Sequence, residues 1–464
     1  MTEVETLTLR VGAWYGDSAV ELEVPARWDI EMLSPSTPPP LGEGEIRAVV
    51  ENPTGAAPLR IAARGKKRPL IIVDDLTRPT PTDAVIPHVL RELEIAGIDR
   101  RDVTILVGCG MHGRTPADAA VKKAGAAGAS CRLLVHDPRG DTATLGRTSF
   151  GTPVIVNGEV AASDLVVGIG GVYPQHSVGF GGGSKLLLGV LGQRSIVGLH
   201  YGHPSVAGSY DVNNDFRRDL DEMAHVAGLR FMVLLHVDAA RHPVRAVAGD
   251  PRVLYMEAAR FSLDRYAAEA AGARHDVVIA NAYPMDSSLT FARSKGLAPL
   301  AQVGAGTSRV FVAACPEGLG LHGLFPYLNG PRFESTVHRL RRWSVVRPST
   351  VPARALGKAR RAVRRLTAPR SVEPAIHLDH PRQQYAGQIS SRGPVHLWAP
   401  MAPAGSLPRL IPGLDRAESW AQIVERVELE HPGHDPLRVA VYPCAPLQCL
   451  VHAAEREAEV AAAC

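Results

Sequence analysis

Pro69-Leu-Ile-Ile-Val73 is an apolar, β-branched run that gives way at once to Asp74-Asp-Leu-Thr-Arg-Pro-Thr-Pro81. The first part predicts a buried strand and the second a loop stiffened by its prolines. From Asp83 to Ala96 the apolar spacing is that of an amphipathic helix. The same order then recurs downstream. Val103-Thr-Ile-Leu-Val107 is the next strand and Pro116 to Ala124 the next helix, while Ser130 to His136 and Leu165 to Ile169 are further strands. This alternation predicts an α/β fold with a mainly parallel sheet, and such sheets bind ligands at the carboxyl ends of their strands.

Working outward, residues 5–33 read as two strands with a turn at Gly16-Asp17, followed by a Pro-rich crossing from Pro35 to Pro40. A long helix is expected from Arg252 to Ala271. Asp276-Val-Val-Ile-Ala280 and Val310-Phe-Val-Ala-Ala314 then open a second α/β unit. A chain of 464 residues exceeds what one core usually serves. The expected division is a first domain over 1–270, a second over 271–430 with a cleft between the two, and a closing segment over 431–464. The strand Leu437–Tyr442 in that last segment is a candidate for returning to the first domain. Within the second domain lies a basic insertion at about 335–372. From Arg339 to Arg370 it carries eleven Lys or Arg residues and no acidic one, as a solvated face or an anionic contact would.

The composition, 45% hydrophobic and 21% charged, is that of an ordinary globular protein. A net charge of +4 is too small to point to nucleic acid or membrane as a partner. The six cysteines are scattered without a C-x-x-C pair, which fits a reduced compartment rather than a zinc ribbon or disulfide framework. The first residues alternate apolar and polar, with no signal-peptide pattern and no run of spanning length anywhere. A cytoplasmic location is expected.

Groups able to do chemistry follow the predicted strands. Arg78 can hold a carboxylate or phosphate in a two-pronged contact, and Asp75 can orient a histidine or arginine. His112, in Gly108-Cys-Gly-Met-His-Gly-Arg-Thr-Pro116, can take or give a proton near neutral pH. Its neighbour Cys109 is expected to pack rather than react. After Leu165 to Ile169 comes Val172-Tyr-Pro-Gln-His-Ser-Val-Gly-Phe-Gly-Gly-Gly-Ser-Lys185, a glycine-rich turn ending in a lysine. Such a turn lets backbone N–H groups face an anion, and the lysine adds a counter-charge or a nucleophilic amine. It is no Walker A loop, because Ser184 and Leu186 stand where glycine and a Mg²⁺-binding hydroxyl are needed. Gly-x-Gly-x-x-Gly also fails. Fifteen residues on, His200 and His203 are spaced as a pair of candidate transition-metal ligands.

Taken together, Asp75-Leu-Thr-Arg78-Pro, Gly110-Met-His112, Gly179-Phe-Gly-Gly-Gly-Ser-Lys185, His200 and Ala314-Cys-Pro-Glu-Gly-Leu-Gly320 resemble the nickel-dependent lactate racemase family. The resemblance runs over roughly residues 5–330. It implies an isomerase, a racemase or epimerase of 2-hydroxy acids working by hydride transfer to a covalently bound nickel-pincer nucleotide made by dedicated biosynthetic enzymes. Lys185 would be the covalent tether. Gly181, Gly182, Gly183 and Ser184, with Asp75 and Arg78, would hold the cofactor. His200 would ligate nickel, with His203 as the alternative. His112 and His176 would be the two acid/base groups, and Arg78, Gln175 and Lys295 would contact the substrate. The alternatives are another 2-hydroxy acid reaction on the same cofactor, or an anion-binding homologue without catalysis.

Several positions depart from the family pattern. The second acid/base position, counted back from Lys185, falls on Gln175, with His176 one place later. His200 is one residue closer to Lys185 than the family's nickel histidine is. In Asp286-Ser-Ser-Leu-Thr-Phe-Ala-Arg-Ser-Lys295, Phe291 takes the place of a glutamine and the lysine is offset by one. A ring in place of an amide favours a larger or more apolar substituent on the substrate.

Overall fold

A computed structural model of the chain describes residues 3–113, 115–175, 178–203, 210–271, 274–323, 394–411 and 413–451. His176 and the basic stretch from Arg339 to Arg370 lie outside the described residues.

The predicted α/β alternation is borne out. Six strands form the first sheet in the order Pro243–Gly249, Leu229–Val237, Leu165–Gly171, Pro69–Asp74, Thr104–Gly108, Arg132–Val135. Every pairing is parallel except that of Pro243–Gly249 with Leu229–Val237. The central strands are buried on both faces, which explains why Pro69–Val73 and Thr104–Val107 read as continuous apolar runs. The chain leaves Pro69–Asp74 in one direction, through Thr104–Gly108 to Arg132–Val135. It then returns on the other side at Leu165–Gly171. That reversal opens a crevice beyond the carboxyl ends of Pro69–Asp74 and Leu165–Gly171.

The second sheet is parallel throughout, in the order Leu414–Ala417, Val395–Trp398, Ser308–Val312, Val277–Asn281, Leu437–Tyr442, Trp28–Met32. Two segments therefore depart from the expected division. Leu437–Tyr442 does not return to the first sheet. It pairs with Val277–Asn281, and its alternate apolar residues enter the core formed with Trp28, Val310 and Trp420. The N-terminal region has three strands rather than two: a hairpin of Val4–Val11 with Ser18–Pro25, and Trp28–Met32 at the edge of the second sheet. The long helix also stops early. It spans Pro251–Arg265, after which Ala267–Glu269 becomes a short strand paired with Cys449–Val451. Among the described residues no helix is long and apolar enough to cross a membrane.

Candidate active site

At the crevice, Asp75 sits one residue beyond its strand and is buried. Its Oδ2 lies 2.6 Å from Nδ1 of His112, and its Oδ1 accepts from the Thr77 hydroxyl at 2.5 Å and the Thr77 amide at 3.2 Å. Burial alone would raise this carboxyl, but His112, Arg78 and Thr77 hold it down at about 2. Asp75 is thus ionised at neutral pH. His112 is pushed below its ordinary value, mainly by burial and further by Arg78 and Lys185, with Asp75 opposing. A neutral imidazole facing an ionised carboxylate carries its proton on Nδ1, so Nε2 is the basic nitrogen.

Arg78 is held by its own loop. Its guanidinium donates to the Thr77 carbonyl and hydroxyl, and its backbone carbonyl accepts from Trp14 Nε1 at 3.0 Å and Lys123 Nζ at 3.3 Å. Lys123 is fully buried, 2.7 Å from Asp74 Oδ1, and it also donates to the Thr80 carbonyl. Lys123 at 4.4 Å and Arg241 at 3.7 Å both lie over the Trp14 ring.

The glycine-rich turn is braced from behind. Arg217 donates to the carbonyls of Gly182 and Phe180, and its guanidinium lies 3.6 Å from the ring centroid of Tyr255. The Tyr255 hydroxyl donates to the Val178 carbonyl and accepts from the Phe180 amide. A Cβ at Gly181 would come within 2.8 Å of the Tyr173 ring, and Gly182 and Gly183 have φ of 78° and 56°. Gly182 lines the crevice. The Gly181 amide is spent on the Tyr173 carbonyl, whereas those of Gly183 and Ser184 open a 3-10 helix, Gly183–Val190, and donate to no helix carbonyl.

Lys185, on the first turn of that helix, is half-buried, and burial, Arg78 and Arg217 lower its pKa to about 7. Lys295, from the helix Leu289–Gly296 of the second sheet's side, donates to Gln175 Oε1 at 3.2 Å. It is held well below its ordinary value by burial, Arg78 and Lys185. The expected residues Asp75, Arg78, His112, Gly182 and Lys185 thus line one pocket, with Lys295 and Gln175 beside it.

The two histidine candidates part company. His200 donates from Nδ1 to the Ile196 carbonyl at 2.8 Å, which leaves the lone pair on Nε2, and burial lowers it to about 3. His203 instead places Nε2 2.7 Å from Oδ2 of the buried Asp219, which also accepts from Thr152. His203 Nε2 is therefore engaged in the core. Cys109 behaves as a packing residue. Its thiol donates to the His136 carbonyl, and burial raises it to about 11.

A contact between the two halves went unread in the sequence. Met111–Gly113 and Leu321–Gly323 run as a short antiparallel ladder: the Gly113 amide donates to the Leu321 carbonyl and the Gly323 amide to the Met111 carbonyl, each at 2.8 Å. His112 faces His322 with ring centroids 5.4 Å apart, and Phe291 packs edge-on to His112 at 4.7 Å. Arg217, Tyr255, Lys123 and His322 carried no local signal. Each acts on a segment distant in sequence.

The lactate racemase N-terminal domain family matches residues 15–208, which include every candidate from Asp75 to His200. The lactate racemase of Thermoanaerobacterium thermosaccharolyticum is 28% identical over 294 residues, 61% of this chain and 68% of the relative. That of Lactiplantibacillus plantarum is 26% identical over 288 residues, 60% of this chain and 68% of the relative. In structure, the lactate racemase apoprotein of T. thermosaccharolyticum superposes with a TM-score of 0.67 at 20% identity, covering 97% of this chain and all of that one. A Thermotoga maritima protein superposes with a TM-score of 0.55 at 14% identity over 89% of this chain and all of that one. These two likenesses show the fold. Residues 15–208 thus match the lactate racemase N-terminal domain family, and the chain is similar in sequence to two lactate racemases over about 60% of its length.

Proposed function

We propose that this protein is an isomerase that racemises or epimerises 2-hydroxy acids with a nickel-pincer nucleotide attached at Lys185. The observation that carries the reading is the convergence of one guanidinium, Arg78, and two lysine amines, Lys185 and Lys295, on the His112–Asp75 pair at the sheet's point of reversal. A cofactor phosphate and a substrate carboxylate would satisfy that charge.

The residues fit the cofactor. An amine with a pKa near 7 has a large neutral fraction at physiological pH and so can form an amide-type link. The Gly183 and Ser184 amides, beside Gly182, suit an anion, and the Nε2 lone pair of His200 suits nickel. When bound, the group supplies a hydride acceptor for the α-hydrogen of the substrate. Arg78 and Lys295 then fix the carboxylate, and Gln175 holds the Lys295 ammonium in place. His112 Nε2 takes the hydroxyl proton while Asp75 steadies the imidazolium that forms. Inversion needs a second acid/base on the opposite face, a role this reading gives to His176.

The test is co-expression with the cofactor-producing enzymes. The expected result is a mass increase of the intact protein located at Lys185, bound nickel, and interconversion of the enantiomers of a 2-hydroxy acid on chiral chromatography. Protein that acquires neither adduct nor metal under those conditions would overturn the assignment.

A further inference from the structure

Two cavities meet at the site. The pocket beside Lys185 and a larger one, about 490 Å³, share just two of their described lining residues, Asp75 and His112. His112 therefore stands at a neck between them. The cationic groups lie on one side. On the other the wall is made of Leu76, Pro116, Phe291 and Leu321, with Thr77, Thr115 and Glu317 as polar members beyond the shared pair, and none of the described lining residues is a lysine or arginine.

The helix Leu289–Gly296 contributes Phe291 to the wall of the larger cavity. Phe291 and Lys295 are four residues apart and so share one face of that helix. Lys295 reaches Gln175 on the cationic side, while Phe291 packs against His112 on the other. A 2-hydroxy acid with its carboxylate at Arg78 and Lys295 and its C2 at His112 can direct its substituent past the Phe291 ring into the larger cavity. The ionised Asp75 disfavours a second carboxylate there, and the described wall, which includes Glu317 with its Oε1 accepting from the Tyr15 hydroxyl at 2.6 Å, offers no lysine or arginine to pair one.

We propose that the larger cavity is the substituent subsite, and that the substrates are monocarboxylic 2-hydroxy acids bearing a bulky, mainly apolar group. This rests on the racemase reading above. Cavities of roughly 300–1,000 Å³ suit ligands far larger than lactate. A methyl group would leave nearly all of this one to water.

The test compares lactate, 3-phenyllactate and malate. With the cofactor-loaded enzyme, kcat/KM for 3-phenyllactate should exceed that for lactate by about tenfold or more, the scale that extra apolar contact provides. Ala117→Trp, an exposed position on the cavity wall where the new ring cannot disturb the core, should cut the 3-phenyllactate value more than the lactate value. Equilibrium binding by calorimetry gives a readout independent of turnover: 3-phenyllactate should bind more tightly than lactate or malate, and Ala117→Trp should remove the difference. Equal or weaker binding of 3-phenyllactate overturns the subsite. If that binding preference holds but no 2-hydroxy acid is racemised, the subsite stands and the racemase reading falls.

Discussion

His112 Nδ1 and Asp75 Oδ2 lie 2.6 Å apart, with the carboxylate held at about 2 by its neighbours, so the imidazole is fixed in one tautomer before any substrate arrives. Asp75→Asn keeps the shape but removes the charge that would stabilise a protonated His112. Racemisation kcat should fall by roughly 10²-fold or more, the usual scale for acid–base groups. Nickel content should be unchanged.

The lowered pKa of Lys185 gives a stability prediction with a definite sign. Burial and two guanidinium groups disfavour its protonated form, and its folded value is about 7 against an ordinary 10.5. Between those values the unfolded chain binds more protons, so this group's contribution makes stability rise with pH across that window. The cost is complete below pH 7. Lys185→Met should therefore raise the Tm of the cofactor-free protein, most at pH 6 and progressively less towards pH 10. An equal shift at every pH would contradict the assignment.

His200 and His203 should separate cleanly by assay. His200→Ala should abolish nickel retention, measured by metal analysis, with little change in Tm. His203→Ala strips a partner from the fully buried Asp219 and should cost about 1–3 kcal/mol in urea unfolding, the penalty of an unsatisfied buried group. Nickel should still bind to that variant.

Lys123 is remote from any substrate but governs Arg78. Lys123→Ala leaves Asp74 buried without its cation and should destabilise the protein by about 3–5 kcal/mol. Lys123→Arg keeps the charge but not the fit to the Thr80 and Arg78 carbonyls. In that variant KM for the 2-hydroxy acid should rise more than kcat falls, because the displaced group is the one proposed to bind the carboxylate.

How far the sequence discloses this arrangement depends on range. Pro69–Val73 and Val103–Val107 are legible because strands buried on both faces must be apolar throughout. The loop residues Asp75, Arg78, His112 and Lys185 are legible because the architecture sends every strand end to the same edge. Leu437–Tyr442 is different. Its pattern marks a buried strand but contains nothing about which sheet accepts it, since that depends on pairing with Val277–Asn281 and Trp28–Met32. Arg217 and Tyr255 are hidden for the same reason. A helical arginine and tyrosine look like surface and core until the loop from Val178 to Gly182 is laid across them.

The ladder between Met111–Gly113 and Leu321–Gly323 has a mechanical meaning. The segment that bears His112, the proposed proton-transfer base, is also a seam between the two halves. Any motion that parted Met111–Gly113 from Leu321–Gly323 would break the hydrogen bonds on either side of His112, so the position of this imidazole is coupled to the seam.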